Sequence, residues 1–124
     1  METRYYKQDK LLIFKIIEEI DESSVKEIRR KAEYEIERFM PREVIFDFDR
    51  VTFMDSAGIG MIIGRYKETN MLGGKMSIAN LTDSVRKIFA MSGVLKIIPE
   101  IDLEEKMKKI ISNEKKKEVV NLWV

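Results

Sequence analysis

Between Val44 and Phe48 the chain is β-branched and aromatic, and from Ile59 to Tyr66 apolar residues return at helical spacing. The first stretch predicts a buried strand and the second a helix running from about Ser56 to Asn70. Phe53-Met54-Asp55-Ser56-Ala57-Gly58 lies between them as a strand-to-helix loop that brings a hydroxyl to a helix N-terminus. A Ser or an Asp at that point caps the helix by accepting hydrogen bonds from free backbone N–H groups. A phosphate at the same point would meet those N–H groups and the positive end of the helix dipole.

The pattern elsewhere supplies the surrounding elements. Tyr5 to Lys7 and Leu11 to Ile17 read as two strands turning at Gln8-Asp9-Lys10, the second nearly all apolar and so inside a sheet. Ser24 with Glu27 forms a capping-box pattern for a helix whose apolar face is Val25, Ile28, Ala32, Ile36 and Phe39, ending at Pro41. Glu22 with Lys26 and Glu27 with Lys31 would form i,i+4 pairs on its solvated face. After the Met71-Leu72-Gly73-Gly74 stop, Lys75 to Ala79 predicts a short strand. Thr82-Asp83-Ser84 then opens a helix carrying Val85, Ile88, Phe89 and Met91, with Gly93 as its C-cap. Lys96 to Ile98 reads as a last strand, and Asp102 with Glu105 caps a closing helix bearing Leu103, Met107, Ile110 and Ile111. An initial hairpin followed by alternating strands and helices predicts an α/β domain with a mixed sheet and helices packed on it. The expected division is a domain over 1–112 and a tail over 113–124. In that tail Lys115-Lys116-Lys117 reads as a solvated charge run, and Val119, Val120, Leu122 and Trp123 either dock on the domain or form an exposed apolar end.

Composition narrows the function. A chain of 124 residues, 44% hydrophobic and 36% charged, suits one globular domain. A formal net charge of +1 argues against direct DNA binding, and no apolar run is long enough to span a membrane. The chain has no Cys, which fits a cytoplasmic protein, and no His. A Ser-His-Asp triad, a Cys nucleophile and an N/S zinc site are thereby unavailable, so a hydrolase using Ser56 lacks its base.

Two further constellations carry less. Gly58-x-Gly60-x-x-x-Gly64 is one residue longer than the dinucleotide fingerprint, and the next strand ends in Ala79-Asn80 without the acidic ribose ligand. Gly60 and Gly64, one turn apart, read instead as a face for close helix packing. Asp47, Asp49 and Asp55 gather near the end of the central strand, but nothing in their spacing defines a coordination geometry, and no metal or cofactor is expected. Asp49 is expected at the surface and Asp47 in a bond to a neighbouring loop, while Met54 and Met61 read as core.

Phe53-Met54-Asp55-Ser56-Ala57-Gly58-Ile59-Gly60 resembles the signature of STAS domains, the anti-sigma-factor antagonists of bacteria. Gly64-Arg65-Tyr66-Lys67, Gly73-Gly74-Lys75-Met76 and Met91-Ser92-Gly93-Val94-Leu95-Lys96-Ile97-Ile98 are similar to the sporulation members of that family in order and spacing. The resemblance runs from about Leu11 to Ile111. It implies the STAS fold and a non-enzymatic switch: the unphosphorylated protein binds an anti-sigma factor, itself a nucleotide-bound serine kinase, and frees the sigma factor. Phosphorylation of Ser56 by that kinase switches it off, and a serine phosphatase resets it. The resemblance also implies a docking surface of Asp21, Asp55, Ser56, Ala57, Gly58 and Gly60. Two positions depart from the family pattern: Glu18 stands where a Gly often precedes the aspartate, and Ala57 replaces a second Ser, leaving Ser56 as the motif's only hydroxyl. The alternative is a stand-alone STAS module that senses a small ligand or nucleotide.

Overall fold

The computed structural model describes residues 1–114 and 121–123. Strands β1 (Glu2–Tyr6) and β2 (Leu11–Lys15) form the expected hairpin, antiparallel, with Glu2 opposite Lys15 and Tyr6 opposite Leu11. The first strand begins earlier than Tyr5 because the period-2 alternation already holds from Glu2, with Thr3 and Tyr5 buried on one face. Helix α1 spans Val25–Phe39, β3 Glu43–Asp47, α2 Ser56–Met71, β4 Lys75–Ala79 and α3 Asp83–Ser92. A short α4 (Val94–Ile97), a two-residue β5 (Glu100–Ile101), α5 (Leu103–Glu114) and β6 (Asn121–Trp123) complete the order. The sheet runs β5-β4-β3-β2-β1-β6, parallel from β2 through β5 and antiparallel at β1 and β6, which makes it mixed.

Strand alternation divides the apolar residues between two faces. Leu12, Phe14, Ile16, Val44, Phe46, Phe48, Met76 and Ile78 join Ile28, Ala32 and Ile36 of α1, Met61 and Ile62 of α2 and Val85 and Phe89 of α3 in the larger core. Leu11, Ile13, Ile45 and Ala79 pack on the other face with Leu103 and Ile110 of α5. Strand β2 contributes to both cores, which explains why its sequence is a continuous apolar run. Phe14, Phe46, Phe48 and Phe89 form a chain of ring contacts through the larger core, ending edge-to-face at 5.3 Å between Phe48 and Phe89.

Several sequence expectations are corrected. The strand expected at Lys96 to Ile98 is helical: Gly93, at φ +83°, both ends α3 and starts α4, and the strand pairing is deferred to Glu100–Ile101 beyond Pro99. Met91 and Ile111 lie outside the cores, exposed on their helices. Glu27 pairs with Arg30 at 2.6 Å rather than with Lys31. Beyond Gly58, the glycines of α2 do not serve close packing. A Cβ at Gly60 or Gly64 would meet nothing within 4 Å, whereas one at Gly58 would lie 2.5 Å from Met54 Cγ and 2.7 Å from Ile20 Cγ2. In the tail, the backbone of Asn121–Trp123 pairs with Arg4–Tyr6, which docks that segment on the sheet. Lys115-Lys116-Lys117, Val119 and Val120 lie outside the described residues.

Candidate functional site

The site forms where the loops after β2 and β3 meet at the start of α2. Ile20 and Met54 make a single parallel bridge: Ile20 N–H donates to the Phe53 carbonyl at 3.5 Å, and Asp55 N–H donates to the Ile20 carbonyl at 3.3 Å. Glu19 strengthens this join, its carboxylate accepting from Thr52 N–H at 3.2 Å and Thr52 Oγ1 at 3.1 Å. On the far side, Thr82 Oγ1 donates to the Val51 carbonyl at 2.7 Å and Ser84 Oγ to the Thr52 carbonyl at 2.9 Å. The segment before Ser56 is therefore held from both sides, while Val51 and Met54 point into the core.

Asp55, not Ser56, caps α2. Its extended backbone (φ −102°, ψ −174°) aims Oδ1 at Ala57 N–H (3.0 Å) and Gly58 N–H (3.2 Å). Of the two capping candidates, the one with the fixed negative charge occupies the positive end of the dipole. Ser56 becomes the first helical residue, and it is exposed. Gly58, one turn into the helix, admits Met54 and Ile20 against its bare Cα, which lets the helix tip sit low over the join between the two loops.

Asp21 heads the turn that leads into α1. Its Oδ1 accepts from Ser23 N–H (2.9 Å), Ser23 Oγ (2.6 Å) and Ser24 N–H (3.0 Å), and its carbonyl accepts from Val25 N–H (2.9 Å). Ser24 makes no side-chain cap bond to α1, because its hydroxyl donates backwards to the Glu19 carbonyl at 2.6 Å. The expected Ser24 cap does not form: in the tight turn headed by Asp21, three residues earlier, the Ser24 hydroxyl is drawn back to the Glu19 carbonyl and away from the first-turn N–H groups of α1. These hydrogen bonds, the Ser23 hydroxyl foremost, hold the Asp21 carboxyl below its ordinary range, so it is charged at neutral pH. Asp21 thus follows directly on Ile20, the residue bonded to the Ser56 loop, and the two acidic segments are neighbours. Glu18 is held by the Met1 ammonium at 3.0 Å. Gly60 is exposed one turn beyond Ser56.

The other carboxylates stay apart from this arrangement. Asp47 is nearly buried, its Oδ1 accepting from Asp49 N–H and Asn80 Nδ2, both at 3.0 Å, and Asp49 is exposed. No group of three metal-ligating side chains occurs among the described residues. Among them, too, no helix is long and apolar enough to cross a membrane.

A model of the STAS domain matches residues 2–114, and the chain belongs to the STAS domain family. Within it, the chain is similar to the anti-sigma F factor antagonist of Paenibacillus polymyxa, 33% identical over 94 residues that cover 76% of this chain and 80% of that one. The anti-sigma factor antagonist SpoIIAA in its unphosphorylated form superposes with a TM-score of 0.70 at 28% identity, covering 84% of this chain and 90% of the other. SpoIIAA from Bacillus in its phosphorylated form gives 0.63 at 27% identity, covering 82% and 92%.

Proposed function

We propose that this chain is an anti-sigma-factor antagonist whose unphosphorylated form binds an anti-sigma factor kinase and frees its sigma factor, and that phosphorylation of Ser56 switches it off. The observation that carries this reading is the exposed Ser56 hydroxyl, one residue past an aspartate cap and beside the Asp21 turn. A neutral hydroxyl at a helix tip can lie flush in a protein interface. A phosphoserine there brings about −1.5 to −2 charges next to two carboxylates, Asp55 and Asp21, and burial of that cluster in an interface is strongly unfavourable. Asp21, Asp55, Ser56, Ala57, Gly58 and Gly60 form the proposed contact surface, although Gly58 acts mainly inward, by letting the helix tip close on Met54 and Ile20. The kinase is a serine kinase holding ATP or ADP, and a serine phosphatase restores the hydroxyl. The protein acts in the cytoplasm as a binding protein rather than an enzyme.

Incubation with labelled ATP and the cognate anti-sigma kinase, followed by mapping of the modified residue, tests the reading. Label is expected on Ser56 and absent from Ser56→Ala. In calorimetry against the same kinase, the phosphorylated chain is expected to bind at least roughly tenfold more weakly. Undiminished affinity of the phosphorylated chain would remove the mechanism.

A further inference from the structure

Among the phenylalanines of this fold, Phe53 alone is exposed. The phenylalanines at 14, 46, 48 and 89 are fully buried, whereas Phe53 is 52% exposed although it stands between the buried Val51 and Met54. Its exposure is not the looseness of an untethered loop. The Phe53 carbonyl is bonded by Ile20 N–H, Thr52 is held by Glu19 and Ser84, and Asp55 caps α2. The ring is therefore presented outward by a backbone secured on both sides, three residues before the exposed Ser56 hydroxyl. Ile17, on the facing segment that leads to Ile20, is likewise 48% exposed, and the preceding Ile16 N–H is bonded to the Asp47 carbonyl at 3.1 Å. One turn beyond Ser56, Gly60 leaves open space above the helix.

We propose that Phe53, with Ile17 on the facing segment as a lesser contact, is the apolar anchor of the partner interface, entering a hydrophobic pocket of the anti-sigma kinase beside its phosphate-transfer centre. The inference rests on the function proposed above. Affinity in protein interfaces concentrates in a few preorganised aromatic anchors, and an ordered ring loses little conformational entropy on docking. The charged groups around it, Asp21, Asp55 and Glu19, suit steering and switching better than holding, because exposed charges remain hydrated and contribute little net affinity. The surface thus divides its work: Phe53 supplies the grip, and Ser56 supplies the release. Continuity with the phosphoacceptor selects this occupant over a second copy of the chain. The exposed Met71, at the far end of the helix that Ser56 begins, has no such neighbour.

The test is calorimetric titration of the cognate anti-sigma kinase, loaded with ADP, into the full chain and its variants. Phe53→Ala is expected to weaken binding roughly tenfold or more, about 1.4 kcal/mol for each tenfold. Ile17→Ala is expected to have a smaller effect in the same direction. Met71→Ala, which removes an 86% exposed side chain elsewhere, is expected to stay within about twofold of the parent. The aromatic resonances of Phe53 in the unsubstituted chain supply a measurement that is independent of any variant's folding, and they are expected to shift on complex formation. If Phe53→Ala binds like the parent, or the Phe53 signals do not move, while Ser56→Asp still weakens binding, the anchor is overturned and the switch stands. A kinase that neither binds nor phosphorylates the chain overturns both.

Discussion

Three glycines of α2 share one motif and differ in what surrounds them, so substitution separates them by sign. At Gly58 an added methyl would collide with Met54 and Ile20, both in the larger core and neither free to retreat. Overpacking of this kind costs about 1–3 kcal/mol. Gly58→Ala is therefore expected to lower the denaturant midpoint with an unchanged m-value. At Gly60 and Gly64 the space is open, and only the entropic penalty of glycine in a helix remains. Gly60→Ala and Gly64→Ala are expected to stabilise the domain by about 0.5–1 kcal/mol each. Gly60→Ala also places a methyl on the proposed contact face, so a more stable protein with weaker kinase binding would identify Gly60 as kept for recognition rather than for folding.

At the scale of elements, the strand–loop–helix unit from β3 to α2 was legible in the sequence because each part carries its own local signal. Val44 to Phe48 is too β-branched and aromatic for a surface helix, and the apolar spacing after Ile59 has no strand alternative. The caps were less legible, since capping is decided by which acceptor the chain direction brings to the free N–H groups. Asp55 and Ser56 are adjacent, as are the turn from Asp21 and the Ser24 capping pattern, and only the backbone geometry separates them. Lys96 to Ile98 reads as a strand because Ile97 and Ile98 are strand formers, but the helical turn of α4 is imposed by Gly93 and closed by Ile98 N–H donating to the Val94 carbonyl at 2.8 Å. In the sequence Phe53 stands out only as the first residue of the Phe53 to Gly60 motif. No sequence pattern distinguishes an aromatic turned outward from one turned inward in a loop where Val51 and Met54 on either side of it are buried. The cap assignment makes a prediction of its own. Asp55→Ala removes the acceptor for Ala57 and Gly58 N–H and is expected to cost about 1 kcal/mol, with Asp55→Asn recovering most of it. Ser56→Ala removes no cap bond and is expected to change thermal stability by less than about 0.5 kcal/mol while abolishing phosphorylation. Chemical denaturation of the three variants beside a kinase assay checks both parts.

Across the whole molecule, the site sits at the end of the sheet where α1, α2 and α3 begin, and its carboxylates include the cap Asp55, the first-turn Asp83 and Asp21, which heads the turn before α1. Asp55 and Asp83 are favoured by the dipoles of their own helices, and Asp21 by the Ser23 and Ser24 donors of its turn, so this end tolerates negative charge in the free protein. A phosphate on Ser56 enters the same field. It gains from the N-terminus of α2 and loses by proximity to Asp55, two effects of opposite sign and comparable size at an exposed position. None of the cores is touched, since Ser56 contributes nothing to either, and the loops beneath it are held through Ile20, Thr52 and Glu19 rather than through the serine. Phosphorylation is therefore expected to leave the global unfolding free energy within about 1 kcal/mol of the unmodified chain. Amide hydrogen exchange should change only in the segments 18–24 and 52–60, and partner affinity should fall on the same sample. If protection were lost across β2, β3 or α1, the switch would instead work by loosening the domain. The charge placed at the interface would then be incidental to release.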